Sequence, residues 1–398
     1  MVHSKTTYTD INQIQQTNSN PLQTEGDFFM KKISQNLYYP NLNGLRFFGA
    51  FLVLISHVEY LKECFGLPNL YSDYRFALLG KLGVHLFFVL SGFLITSLLF
   101  NEQEQQKKIN IKQFYLRRII KIWPLYFAIV LLGFFILPHL GLFEVPTLTE
   151  HVQENFTNKL IYNITFLPNV AIVLYPFMPL SFQLWSIGLE EQYYLIIPWV
   201  IAKLKSRIFF FIIAIVAYLF IKEYIAVAYS KNIQSSYWYK LHYFWYYFHV
   251  DSLAIGSLAA LINFRYPKFV KTYILNRVVE ISSIVLLIVL YIKLSHVYYY
   301  YQDEVYDFFF AIIIMNAALH EKTILKLENK VLNYLGKISY STYMVHVIML
   351  VLSFNILKHL NSMSNINIYL LSLLLTYLAS IVTYEYFESK ILALKKKL

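Results

Sequence analysis

Two ionisable side chains, Arg46 and His57, stand eleven residues apart in the apolar run 45–57, where a charge is costly and therefore points to function. At about 100° per residue, that spacing returns both to nearly one face of a helix, about 16 Å apart along its axis. They cannot touch, but they can line one polar path across a bilayer. A neutral imidazole takes a proton from a hydroxyl near pH 7, whereas a guanidinium binds an anion or orients a carbonyl. His57 is thus a candidate general base and Arg46 a candidate partner for a second substrate. The plainer alternative is a histidine hydrogen-bonded between helices and an arginine snorkelling to the inner headgroups.

A second constellation is Trp185-Ser186-Ile187-Gly188-Leu189-Glu190-Glu191-Gln192-Tyr193-Tyr194. Glu190 could orient a catalytic imidazole or bind a sugar hydroxyl, and Trp185, Tyr193 and Tyr194 offer stacking faces and hydroxyls. Acids near the positive end of a helix would explain the same placement. A third cluster sets Lys107, Lys108, Lys112, Arg117, Arg118 and Lys121 among Phe114, Tyr115, Trp123 and Tyr126. It suits a phosphorylated, nucleotide-bearing donor, although a stop-transfer segment or an anionic-lipid contact has the same composition. Ser91, in the segment 83–96, has no base at fixed spacing and reads as helix packing. His346 is a further intramembrane histidine, a packing or pocket residue, and His85 carries a weaker signal.

These residues need a membrane scaffold. The 398 residues are 58% hydrophobic and only 14% charged, with a mean hydropathy of +0.48, against about 25% charged in soluble domains. Periodicity and length predict an all-α polytopic membrane protein of about ten transmembrane helices, over 45–62, 80–100, 122–140, 183–202, 208–228, 243–263, 278–297, 305–320, 338–358 and 367–387. The even count, and the Lys and Arg crowding the segments on the tail's side, predict cytoplasmic termini. The net charge of +11 is spread over short loops, which speaks for topology and against nucleic acid.

The polar segment 1–40 reads as a disordered cytoplasmic tail, 41–392 as the membrane domain and 393–398 as a basic tail. The outer connection 141–182, with four prolines, is expected to dip into the membrane and shape a substrate vestibule. Tyr298–Tyr301 reads as an interfacial anchor. A single cysteine, Cys64, excludes an intrachain disulfide. The histidines show no metalloprotease spacing, so no metal is expected.

Taken in order, the pieces resemble the membrane acyltransferase-3 family over about residues 41–392. They are Arg46 and His57, the Phe-Phe-Val-Leu-Ser-Gly-Phe-Leu-Ile-Thr run at 87–96, Arg117-Arg118 with Ile122, Pro124 and Tyr126, Trp185-Ser186 with Glu190, the segment 338–346, and Glu388. Gly188 stands where serine is usual, Tyr193 for phenylalanine, Lys121 for arginine, His249-Val250-Asp251 where many members carry an arginine, and Lys390 for proline.

The resemblance implies a multi-pass enzyme of a bacterial inner membrane that moves an acyl group, often acetyl, from cytoplasmic acyl-CoA to a hydroxyl of a surface glycan or lipid-linked sugar. It implies His57, Arg46 and Glu190 as catalytic residues, and Arg117, Arg118 and Lys121 as coenzyme contacts. Trp185, Tyr193, Tyr194 and His346 become acceptor contacts. The serine-esterase-like domain of many relatives is expected to be absent here, its place left to a separate extracytoplasmic partner or to none. A proton-coupled transporter or carrier of a sugar or lipid-linked sugar would use Arg46, His57 and Glu190 as a relay, and is the competing class.

Overall fold

The structure, a computed structural model, describes residues 38–146, 148–294 and 301–394, all helices, turns and loops without a strand. Most of the polar tail, the end of the basic tail and Tyr298–Tyr300 lie outside the described residues. The helices that matter here are α1 (Leu42–Cys64), α2 (Tyr74–Gln106), α3 (Ile111–Leu131), α4 (Phe156–Ile164), α5 (Pro168–Leu174), α6 (Leu184–Lys203) and α7 (Arg207–Lys231). They continue as α8 (Ser236–Tyr247), α9 (Val250–Arg265), α10 (Arg277–Leu294), α11 (Gln302–Leu319), α12 (Lys330–Lys337), α13 (Ser339–His359) and α14 (Asn365–Thr383).

The ten expected spans are largely helix in their described parts, 243–263 being broken at Phe248 and His249. Seven helical stretches are long and apolar enough to cross a membrane, and an eighth is reached if Pro267–Ile274 and Arg277–Lys293, bent by 68°, count as one span. The protein is therefore a multi-pass membrane protein, with seven candidate spans among the described residues. α6 and α11 fall outside the seven, and each carries acids within its length: Glu190 and Glu191 in one, Asp303, Glu304 and Asp307 in the other.

The apolar windows of α2 and α13 are 78% buried, against 22% for α7 and α14. Hence α2 and α13 form the middle, while α7 turns Phe209, Ile213, Val216 and Phe220 outward, as a lipid-facing helix should. α2 and α9 approach each other closely. A Cβ on Gly92 would sit 2.0 Å from the Leu253 carbonyl oxygen, and one on Gly256 2.1 Å from that of Val89. Small residues let the two backbones meet. Tyr193 Oη and Thr96 Oγ1 both reach Ser257 Oγ, which donates to the Gly92 carbonyl at 3.1 Å.

The start of α1 is fixed by its cap. Asn41, in a left-handed conformation (φ 63°), donates from Nδ2 to the Ala317 carbonyl and accepts from Leu327 N–H. Its own N–H donates to Glu328. At the other end, Glu59 accepts from Lys62 (2.8 Å), Tyr369 Oη and Leu70 N–H. Both ends of the helix bearing Arg46 and His57 are thereby tied to neighbouring elements.

Candidate active site

α1 and α13 bring His57 and His346 together, with His57 Nδ1 2.7 Å from His346 Nε2 and the rings parallel within 4°. His346 Nδ1 lies 2.6 Å from the Tyr343 carbonyl oxygen. A carbonyl only accepts, so Nδ1 of His346 carries the proton and its Nε2 accepts. His57 then donates from Nδ1 and presents a lone pair at Nε2. The hydrogen-bond chain, rather than observed hydrogens, assigns this tautomer, and it is the one a general base requires.

His57 lines a cavity of about 280 Å³. Aromatic side chains make up much of its wall, among them Tyr60, Tyr71, Phe182, Trp185, Tyr246 and Tyr247. Phe182 packs edge-on to His57, with centroids 5.1 Å apart. Ile172, Phe177 and Phe182, from the connection 141–182, close part of the cavity. Burial pushes the Tyr71 hydroxyl up to about 12, so it stays a donor through the neutral range. Within the connection, the Lys159 ammonium donates to the carbonyls of His151 and Val152 at 2.9 and 3.0 Å, and Tyr126 Oη and Asn355 Nδ2 tie the segment to α3 and α13 by donating to the carbonyls of Asn163 and Glu144 at 2.8 and 2.9 Å. Burial pushes the Lys159 pKa down from the usual lysine range.

Arg46 does not line this cavity. It belongs to a second polar site, where Arg46, Arg118, Tyr194 and Glu190 lie within electrostatic range of one another. Tyr194 donates to Glu190 Oε2 at 2.8 Å and meets Ser91 Oγ. The Arg118 guanidinium lies 5.9 Å from the ring centroids of both Phe114 and Tyr194, and its buried Nε has no hydrogen-bond partner. Lys121 acts on Glu190 and on Glu388, whose Oε2 accepts from Ser341 at 2.6 Å. Tyr343 stands between the two sites. Its ring lines the cavity and packs at 6.0 Å on Phe87, and it lies within electrostatic range of Glu190.

The residues expected to bind one coenzyme therefore part company, because Arg117 turns away to pair with Glu102 of α2 at 2.8 Å. The expected acceptor contacts divide as well. Trp185 lines the cavity and His346 backs His57, but Tyr194 belongs to the Glu190 site. Tyr193 is spent on Ser257 and the α2–α9 contact, away from the cavity. Adjacent residues on a helix differ by about 100° in direction, and that alone separates Tyr193 from Tyr194. Glu191 accepts from Trp123 Nε1 at 2.9 Å. Gly188 has a packing reason, since a Cβ there would lie 2.5 Å from Pro168 Cδ.

Sequence reasoning missed Tyr60, Tyr71, Tyr246, Tyr247 and His249 in the cavity wall. Clustered tyrosines near helix ends resemble interfacial anchors, so composition alone does not single them out.

Comparison with known proteins gives the family of the chain. The acyltransferase-3 family model, described as an acyltransferase domain, matches residues 39–385. The O-acetyltransferase OatA of Staphylococcus aureus strain NCTC 8325 is 26% identical over 391 residues, covering 91% of this chain and 58% of that protein. A second protein, of strain COL and provisionally named an O-acetyltransferase, is 27% identical over 389 residues, covering 90% of this chain and 58% of its own. The chain thus spans 58% of the length of these curated relatives. No solved structure matches it.

Proposed function

The chain belongs to the acyltransferase-3 family, and from that premise we propose that it is a membrane O-acyltransferase. It moves an acyl group, in the first instance acetyl, from cytoplasmic acyl-CoA to a hydroxyl of a cell-surface glycan or lipid-linked sugar. The observation that carries the reading is the chain Tyr343 carbonyl, His346, His57, which leaves the His57 Nε2 lone pair available at the wall of an aromatic cavity. Flat aromatic faces with hydroxyls at their edges suit a sugar, whose apolar ring face stacks while its hydroxyls find donors and acceptors.

The chemistry follows from these positions. His57 Nε2 takes the proton of the acceptor hydroxyl as its oxygen attacks the thioester carbonyl. The new C–O bond forms and the C–S bond breaks. The proton is then returned from His57 to the departing thiolate, giving an ester and a free thiol. His346 keeps the imidazole in the reactive tautomer and shares the positive charge that develops on it.

Arg118, Lys121 and Arg46 supply positive charge and a planar guanidinium at the second site, matched to phosphate and to the carbonyls of the coenzyme arm. Glu190 holds that arginine cluster in place through charge and through Tyr194. Arg46 and His57 are about 16 Å apart along α1, so a coenzyme anchored on the basic side must extend its thioester past Phe87 and Tyr343 to reach the base. The termini are then cytoplasmic and the aromatic cavity faces outward.

The test is transfer of radiolabel from acetyl-CoA to glycans and lipids in native membranes containing wild type or His57→Ala at matched levels. Label that depends on His57 supports the reading. Equal label in both removes His57 as the base. No label with acetyl or longer acyl donors, in membranes that contain the acceptor, removes the activity.

A further inference from the structure

A third group of polar side chains lies at the cavity wall where α2, α9 and α11 meet, and the reaction above does not use it. His85, His249 and Asp303 are buried, and one potential ligand atom from each lies within 4.8 Å of the others. His85 and His249 line the cavity, with ring centroids 4.3 Å apart.

The lone pairs are arranged for a cation. His85 Nδ1 is 2.9 Å from Asp307 Oδ1, and Ser252 Oγ donates to Asp307 Oδ2 at 2.7 Å. The carboxylate fixes the proton on Nδ1, so Nε2 of His85 is the lone-pair nitrogen. That atom is buried and has no hydrogen-bond partner. A histidine whose outer nitrogen is held by a carboxylate while its inner one is open is the usual posture of a metal ligand. His249 is likewise bonded to the backbone of Tyr246.

Charge points the same way. Asp251, Asp303, Glu304 and Asp307 share this region with two ammonium groups, Lys81 and Lys222. Lys81 holds Asp303 Oδ2 at 2.6 Å and Lys222 holds Glu304 Oε1 at 2.6 Å. Both oxygens of buried Asp251 lack partners. Buried acids crowded this closely are costly in a bilayer unless they are paired. A bound cation would give the unpartnered oxygens of this region a further partner.

We propose that His85, His249 and Asp303 form a binding site for Zn²⁺ or a metal of like coordination chemistry. Asp303, paired with Lys81 through Oδ2, supplies the carboxylate ligand, and Asp307 is the carboxylate that orients His85. Two nitrogens and one oxygen, with a fourth position toward the cavity, match Zn²⁺ in an open site, where ligand atoms stand about 3.4 Å from one another. Side-chain rotation closes the difference from the present spread. The site stands on its own residues and holds metal whichever reaction the cavity supports.

The experiment uses the full chain, purified in detergent, freed of metal and then titrated with Zn²⁺ alone. The expected result is one equivalent retained through gel filtration, a rise in Tm on binding, and visible d–d bands of a low-symmetry site when Co²⁺ replaces Zn²⁺. His249→Gln and Asp303→Asn abolish retention, and Asp307→Asn weakens affinity about 10–100-fold. Folded wild type that retains no Zn²⁺ overturns the proposal, as does retention unchanged in both ligand variants. If one variant fails to fold, judged by its elution profile, the other decides.

Discussion

His57 and His346 lie 289 residues apart in sequence, yet their ring nitrogens meet at 2.7 Å, and the Tyr343 carbonyl at the far side of His346 determines which nitrogen of His57 is free. The tautomer of the candidate base is thus written into the backbone of α13. Removing His346 should leave His57 in place but free to adopt either tautomer.

His57→Ala should lower acyl transfer about 10²–10⁴-fold, the usual worth of a general base. His346→Ala should lower kcat by a smaller factor, with acyl-CoA KM little changed. His346→Gln, which can still accept from His57 Nδ1–H, should recover part of the loss. Initial rates in membranes with matched protein levels check this, and a His346→Ala enzyme at full kcat would remove the orienting role.

Arg118 and Arg117 should behave differently although they are neighbours. Arg118→Ala removes a guanidinium that faces the Glu190 site and should raise the acyl-CoA KM about 10–100-fold, as loss of charged hydrogen bonds does. Arg117→Ala breaks only a partly exposed pair with Glu102 and should change it within about threefold. Saturation curves in acyl-CoA separate them, and equal effects would argue against the assignment.

Trp185→Ala should weaken acceptor binding while leaving the donor KM unchanged. An aromatic stacking contact is worth about 0.5–1.5 kcal/mol, so the acceptor KM should rise roughly 2–10-fold. A variant with an altered donor KM and an unchanged acceptor KM would place Trp185 on the other substrate.

Gly188→Ser, which restores the residue usual in the family, should destabilise this chain because Pro168 occupies the space of the new Cβ. Overpacking of this kind costs about 1–3 kcal/mol, visible as a lower Tm in detergent. An unchanged Tm would mean that α5 gives way without cost.

For topology, single cysteines at Gln105 and Glu154, both exposed, in a Cys64→Ser background should label from opposite sides, the former from the cytoplasm. Labelling of Gln105 from outside would invert the arrangement and with it the route of the donor.

Arg46, His57 and Glu190 were legible in the sequence because a charged or titratable group inside an apolar run stands out against its neighbours. The ten helical segments were legible for the same reason. The separation of Arg46 from the cavity was not, because one helix face can serve two chambers at different depths. Nor was the pairing of His57 with His346, which depends on how α1 packs on α13. His85 looked weak beside its own neighbours, and only the crossing of α2, α9 and α11 gives it His249, Asp303 and Asp307. Seven of the spans stand out by length and apolarity, whereas α6 and α11 combine span-like length with acids.

The contact at Gly92 and Gly256 also says how this molecule can breathe. Two helices whose backbones interlock at carbonyl distance can neither slide nor roll without unseating each other, so α2 and α9 behave as a single stiff post. Any opening wide enough to admit a bulky acceptor falls instead to the segment 141–182, built of short helices and prolines and tied to its neighbours by side-chain bonds from Tyr126, Gln192 and Asn355 to its carbonyls.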